Sequence, residues 1–285
     1  MSYTTLITAE QLLAAPAATV VIDTSFDLLD TNAGEASWRA AHLPGSFYLH
    51  LERDLSGPKT GPNGEFRGRH PLPERAVFAA TLARCGVTPA TQVVVLDRQG
   101  AMFAARLWWM LRWMGHAEVA VLDGGVAAWT AAGGALTAEP TPPAPATTPY
   151  PDRPALVRTI SADELAAQLG RVPLLDARAG ERFRGEVEPL DHAAGHIPGA
   201  LNRFFKDNHD AVSGRFKPAA QLRAEFTPLL GTHGAAAAVH QCGSGATACH
   251  NLLAMEHAGL FGSVLYPGSW SEWSADPSRP VAQGA

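Results

Sequence analysis

The chain repeats itself, and the repeat limits the folds open to it. Val121-Leu122-Asp123-Gly124-Gly125 with Trp129 returns 144 residues later as Leu265-Tyr266-Pro267-Gly268-Ser269 with Trp273. Val93-Val94-Val95-Leu96 resembles Ala237-Ala238-Val239-His240 at the same offset of 144, as does Gly115 against Gly259. Earlier in each half, Val20-Val21-Ile22-Asp23 matches Pro173-Leu174-Leu175-Asp176, and His42-Leu43-Pro44-Gly45 matches His196-Ile197-Pro198-Gly199 at an offset of 154. The change of offset puts a longer connection in the first half, within the Gly- and Pro-rich stretch from Ser56 to Pro73. A period this long implies two copies of one domain.

Composition marks the join. Pro140, Pro142, Pro143, Pro145, Pro149, Pro151 and Pro154 crowd one segment, which favours an extended linker over a helix or a central strand. The expected division is residues 1–138, a linker over 139–155, and 156–285. Within each half, short β-rich runs alternate with helical patterns. Strands are expected at 20–22, 93–96, 119–122, 174–175, 235–240 and 264–266. Helices are expected around 11–13, 103–114 and 246–257. This alternation predicts an α/β fold, each domain a mainly parallel sheet flanked by helices.

The 285 residues are 46% hydrophobic and 17% charged, the balance of a globular protein. A net charge of −5 with no basic stripe argues against nucleic acid. No apolar run reaches membrane-spanning length, and no leader pattern opens the chain. Three cysteines, Cys85, Cys242 and Cys249, form neither a disulfide framework nor a zinc pattern, so no metal is expected and a reducing cytoplasm is.

Cys242 stands where an apolar run meets a helical one, in Cys242-Gly243-Ser244-Gly245-Ala246-Thr247. Ligands bind at the carboxyl ends of strands in such sheets. The first N–H groups of the following helix favour an anion, and thiolate is the nucleophilic form of cysteine. Gly243 and Gly245 let the loop curl with its amides inward, and Ser244 and Thr247 add hydroxyls. Cysteine-dependent phosphatases bind phosphate with an arginine six residues after the cysteine; this chain has Ala248 there, so by that contrast phosphate-ester hydrolysis is disfavoured. Sulfur-atom transfer through a persulfide remains, a covalent mechanism with two half-reactions.

With these residues in view, the chain resembles the rhodanese superfamily, and within it the tandem-domain sulfurtransferases. His42-Leu43-Pro44-Gly45 and His196-Ile197-Pro198-Gly199 are similar to the family's signature near the start of each domain, and Gly268-Ser269-Trp270-Ser271-Glu272-Trp273 to its closing one. The resemblance implies that only the second domain is catalytic; Arg98, 144 residues before Cys242, agrees. The loop is similar to that of 3-mercaptopyruvate sulfurtransferases, whereas thiosulfate sulfurtransferases carry Arg and Lys after the cysteine. The resemblance assigns Cys242 and Ser244 to catalysis, and Arg182 to the substrate. From the first domain it implies a histidine, matched by His70, and an acidic residue, either Glu52 or Asp54. A second substrate arginine is implied where the chain has Leu190, so that one anion-binding charge is either missing or supplied from elsewhere, by Arg184 or Arg203. The implied reaction moves sulfane sulfur from 3-mercaptopyruvate to a thiol or cyanide, without a cofactor. The alternatives are a thiosulfate:cyanide sulfurtransferase and a sulfur-carrier module with little turnover.

The remaining features have structural readings. Cys85 and Cys249 are expected to be structural, and Trp108, Trp109 and Trp113 to lie in the core or at an interdomain seam. Asp23 and Asp176 are expected to anchor turns, and His42 and His196 to tie loops.

Overall fold

Apolar runs of Val and Leu bounded by turn residues become parallel strands buried on both faces. The computed structural model describes residues 2–16, 18–144 and 148–285. Residues 145–147 of the expected linker lie outside them. Between Ala131 and Arg158 the described residues contain no helix and no strand beyond an isolated bridge of Thr137 with His42.

The first unit comprises β1 (Leu6–Ile7), α1 (Ala9–Leu13), β2 (Val20–Asp23), α2 (Ala33–Ala40), β3 (Phe47–Tyr48), α3 (Arg75–Arg84), β4 (Val93–Leu96), α4 (Ala104–Trp113), β5 (Val119–Leu122) and α5 (Gly125–Ala131). Its sheet has the order β1-β5-β4-β2-β3, with every pairing parallel. The second comprises β6 (Arg158–Thr159), α6 (Ala162–Ala166), β7 (Leu174–Asp176), α7 (Gly180–Phe183), β8 (Ala200–Asn202), α8 (Ala219–Leu230), β9 (Val239–Gln241), α9 (Thr247–His257), β10 (Val264–Leu265) and α10 (Ser269–Trp273). Its order, β6-β10-β9-β7-β8, repeats the first, again all parallel. Even the first helix of each unit starts alike. Thr8 with Gln11 and Ser161 with Glu164 both form reciprocal capping boxes.

The strand orders reverse at the centre of each sheet, between β4 and β2 and between β9 and β7. Crevices open at such points beyond the carboxyl ends of the strands. β4 and β5 are buried throughout. Trp108 and Trp109 are buried in the first unit, and Trp270 and Trp273 in the second, where they pack with Leu165, Phe183 and Ile197.

Three expectations need correction. The first unit is not the unbroken stretch 1–138: it is Met1–Ser56 and Pro73–Leu156 together with Ala211–Arg215, while Gly57–Leu72 belongs to the second unit. That excursion makes no helix or strand; its backbone is held by bonds such as Gly57 N to Pro71 O and Arg67 N to Lys59 O. The strand expected over 235–240 is displaced: 235–237 form a turn of 3₁₀ helix, and β9 begins at Val239. The repeat therefore shifts by one residue here. Asp23 pairs with Leu96, and Asp176 with Gln241, so the counterpart of Cys242 is Asp97 and not Arg98.

Candidate active site

Cys242 follows the central strand β9 and precedes α9, so its loop lies at the carboxyl end of the sheet. Sequence-distant groups pin its backbone. Cys242 N–H donates to Ser269 Oγ at 3.1 Å, and Ser269 Oγ in turn donates to Tyr266 O. Cys242 O and Gly243 O accept from the N–H groups of Trp270 and Ser271, each at 2.9 Å. The Gly-Ser-Trp-Ser-Glu-Trp motif thus fixes the main chain of Cys242. The thiol is 2% exposed, and Cys242 Sγ accepts the Gly245 N–H at 3.1 Å.

The two loop glycines serve different ends. Gly245 has φ 77°, a conformation that disfavours side chains. Gly243 needs no such angle; it is needed for clearance. A Cβ there would stand 2.8 Å from Arg69 Nη2 and 3.4 Å from Arg182 Nη1. Two guanidinium groups therefore face the loop beside the cysteine.

Arg69 and His70 arrive on the Gly57–Leu72 excursion, which belongs to this unit. Arg69 N–H donates to Ser271 Oγ at 2.9 Å. Its neighbour Gly68 has φ 91° and packs against Gly268 O, where a Cβ would come within 2.9 Å. His70, 3% exposed, shares a hydrogen bond of 2.7 Å between its Nδ1 and Ser244 Oγ. Ser244, 6% exposed, is thereby oriented beside Cys242.

Arg182 lies within the short helix α7. Its Nη2 donates to Glu188 Oε1 at 2.6 Å and to Asp191 Oδ2 at 2.9 Å, while its buried Nε has no partner. Asp191 also accepts from Arg69 Nε at 2.8 Å. Glu188 reaches Arg178, which is paired with Asp176 and lies 4.8 Å over the Trp270 ring. Carboxylates between guanidiniums fix their planes, and losing one partner from such a buried network costs about 3–5 kcal/mol.

Neither Arg184 nor Arg203 is among the atoms nearest a Cβ at Gly243. Arg184 pairs with exposed Glu186, and Arg203 with Glu225. Arg69 is the group found beside Arg182, and sequence reasoning missed it. The signal was its position directly before His70; its partner Asp191 lies 122 residues away. Glu52 and Asp54 lie in the first unit. Asp54 accepts there from Arg84, at 2.6 Å, and from the His50 N–H, at 2.9 Å. Glu52 donates its N–H to His50 Nδ1.

Burial sets the titration of several neighbours. His240, within β9, is fully buried, and desolvation pushes its imidazole down to about 3. Desolvation raises the Tyr266 hydroxyl, with Glu272 adding to the effect. Cys249 is buried and its thiol donates to Gly245 O, while Cys85 is buried in the first unit. His42 and His196 tie loops by donating from Nδ1 to Trp38 O and Phe183 O. The Asp23 and Asp176 carboxylates accept the N–H groups of Ser25 and Arg178, anchoring turns. Among the described residues no cluster of three or more His, Cys, Asp or Glu side chains suits a metal. None of their helices is long and apolar enough to cross a membrane.

In the first unit the same loop is closed by its own anion. The Asp97 carboxylate accepts four backbone N–H groups, from Gln99, Ala101, Phe103 and Ala104, at 2.7–2.9 Å. An amide cradle at the end of the central strand thus holds a fixed carboxylate in one unit and surrounds a cysteine in the other.

This pair of α/β units, one with a cysteine in an amide loop, defines the class: the chain belongs to the rhodanese-like family. The family's domain model, Rhodanese-like domain, matches residues 8–132 and 161–276. The chain is 46% identical over 290 residues to a probable 3-mercaptopyruvate sulfurtransferase of Pseudomonas aeruginosa, covering 100% of both chains. It is 33% identical to thiosulfate sulfurtransferase of Gallus gallus, over 92% of this chain and 89% of that one. Among solved structures, 3-mercaptopyruvate sulfurtransferase from Leishmania major superposes with a TM-score of 0.83 at 29% identity, over 95% of this chain and 74% of that one.

Proposed function

We propose that the chain is a sulfurtransferase that takes sulfane sulfur from 3-mercaptopyruvate onto Cys242 and passes it to a thiol or cyanide. The observation that carries this reading is the pair of guanidiniums, Arg69 and Arg182, directed at uncharged Gly243. Two such groups beside the nucleophile suit the carboxylate and ketone oxygens of a 2-oxo acid. The name of the Pseudomonas relative supports the same donor.

In the first half-reaction the Cys242 thiolate attacks the donor sulfur. The sulfur–carbon bond breaks, and its electron pair leaves as the enolate of pyruvate. Arg69 and Arg182 hold the carboxylate and the developing enolate oxygen. Ser244 and His70, joined by their hydrogen bond, carry the donor's thiol proton to the enolate carbon, giving pyruvate. Cys242 retains a persulfide anion, which the loop amides stabilise. In the second half-reaction the acceptor attacks the outer sulfur and regenerates the thiolate. The cycle balances without an external oxidant or a cofactor. The three free cysteines support a reducing compartment, the cytoplasm.

Intact mass spectrometry tests the covalent step. Incubation with donor should add ~32 Da, one sulfur atom, to the wild type and nothing to Cys242→Ser. A mass gain in the serine variant would show the site to be wrong. Turnover with 3-mercaptopyruvate and with thiosulfate, with cyanide as common acceptor, tests the donor. Faster turnover of thiosulfate would overturn the donor assignment, and a persulfide without turnover would indicate a carrier.

A further inference from the structure

The charges beside Cys242 form one alternating chain: Arg69, Asp191, Arg182, Glu188, Arg178, Asp176. Three guanidiniums face three carboxylates, so the buried network is neutral. Asp191 is the member that touches both donor-facing arginines. Its Oδ1 accepts from Arg69 Nε at 2.8 Å, and its Oδ2 from Arg69 Nη2 at 3.3 Å and Arg182 Nη2 at 2.9 Å. The Asp191 side chain is 1% exposed, so solvent and salt screen its charge little. A donor bound at Gly243 meets two arginines already partly neutralised by one carboxylate.

We propose that Asp191 is a specificity-determining residue that sets the charge of the donor accepted at Cys242. With Asp191 in place, the pocket suits the single carboxylate of a 2-oxo acid thiol and penalises the second negative charge of thiosulfate. Without it, Arg182 keeps Glu188 but the network carries one net positive charge beside Gly243, which suits a dianion better. The residue acts through Arg69 and Arg182 and takes no part in bond making. This inference rests on the sulfurtransferase reading above.

Asp191→Asn and Arg69→Gln test it through opposite changes of pocket charge. The readout is the ratio of kcat/KM for thiosulfate to that for 3-mercaptopyruvate, with cyanide as acceptor, at low and high salt. Asp191→Asn should raise the ratio about tenfold or more, chiefly through the KM of thiosulfate. Arg69→Gln, which leaves the carboxylate in excess, should lower it, though both donors turn over more slowly. A strut that merely holds the arginines would move both donors together in both variants, and an unchanged or equally shifted ratio overturns the proposal. Should Asp191→Asn fail to fold, the sign of the Arg69→Gln shift alone decides. Failure of the sulfurtransferase reading looks different: the wild type would then turn over neither donor.

Discussion

Gly243 and Arg69 compete for one volume: a Cβ on Gly243 would stand 2.8 Å from Arg69 Nη2. The bare loop position and the guanidinium delivered from residues 57–72 therefore depend on each other. Alanine at 243 meets no backbone barrier, so its cost is steric. Gly243→Ala should displace Arg69 from the loop, cost about 1–3 kcal/mol of local packing, and lower kcat/KM for 3-mercaptopyruvate about tenfold. Gly243→Ala with Arg69→Ala should show no further loss beyond Arg69→Ala. Steady-state kinetics of the two single variants and the double variant give the coupling, and additive losses would contradict the shared volume.

The 2.7 Å contact between His70 Nδ1 and Ser244 Oγ makes a second pair testable as a unit. Groups that move one proton together are not additive when removed. Ser244→Ala and His70→Ala should each lower kcat about 100-fold, and the double variant little further. Persulfide on Cys242, supplied by a donor that needs no proton transfer, should still form in all three, as intact mass would report.

The repeat, the parallel α/β architecture and the strand-to-helix loop at Cys242 were legible in the residues because they rest on local pattern: apolar runs, proline crowding, glycines beside a cysteine. Arg69 and Asp191 were not, since their ion pair joins residues 122 positions apart and neither sits in a periodic pattern. The family resemblance pointed to Leu190, the neighbour of Asp191, which pairs with Arg69 and Arg182. Asp97 was hidden for another reason. A one-residue slip in the alignment of 93–96 with 237–240 was invisible until strand pairing fixed the register.

That register leads to a third prediction. Asp97 accepts four backbone N–H groups, three of them buried, and an alanine side chain offers them no acceptor. Asp97→Ala should destabilise the first unit by about 2–4 kcal/mol, a loss typical of several orphaned buried donors. Urea unfolding should show the transition of this unit moving to lower denaturant. The persulfide on Cys242 should still form, because the second unit's loop has its own cradle.

His240 gives the chain a built-in acid sensitivity next to the nucleophile. It is fully buried in β9, with desolvation holding its pKa at about 3 against an ordinary value of 6.5. Nε2 lies 3.1 Å from Met255 Sδ, and Nδ1 has no partner, so nothing nearby compensates an imidazolium. The folded state keeps the ring neutral, whereas the unfolded chain takes up a proton near pH 6.5. The unfolded state thus binds more protons between the two values. Stability is fully present above about pH 6.5 and falls as pH drops toward 3, by about 1.4 kcal/mol per pH unit from this residue. Urea unfolding of the second unit at pH 7, 6 and 5 should show that slope, and His240→Leu should flatten it. An unchanged slope in the variant would assign the acid sensitivity to other groups.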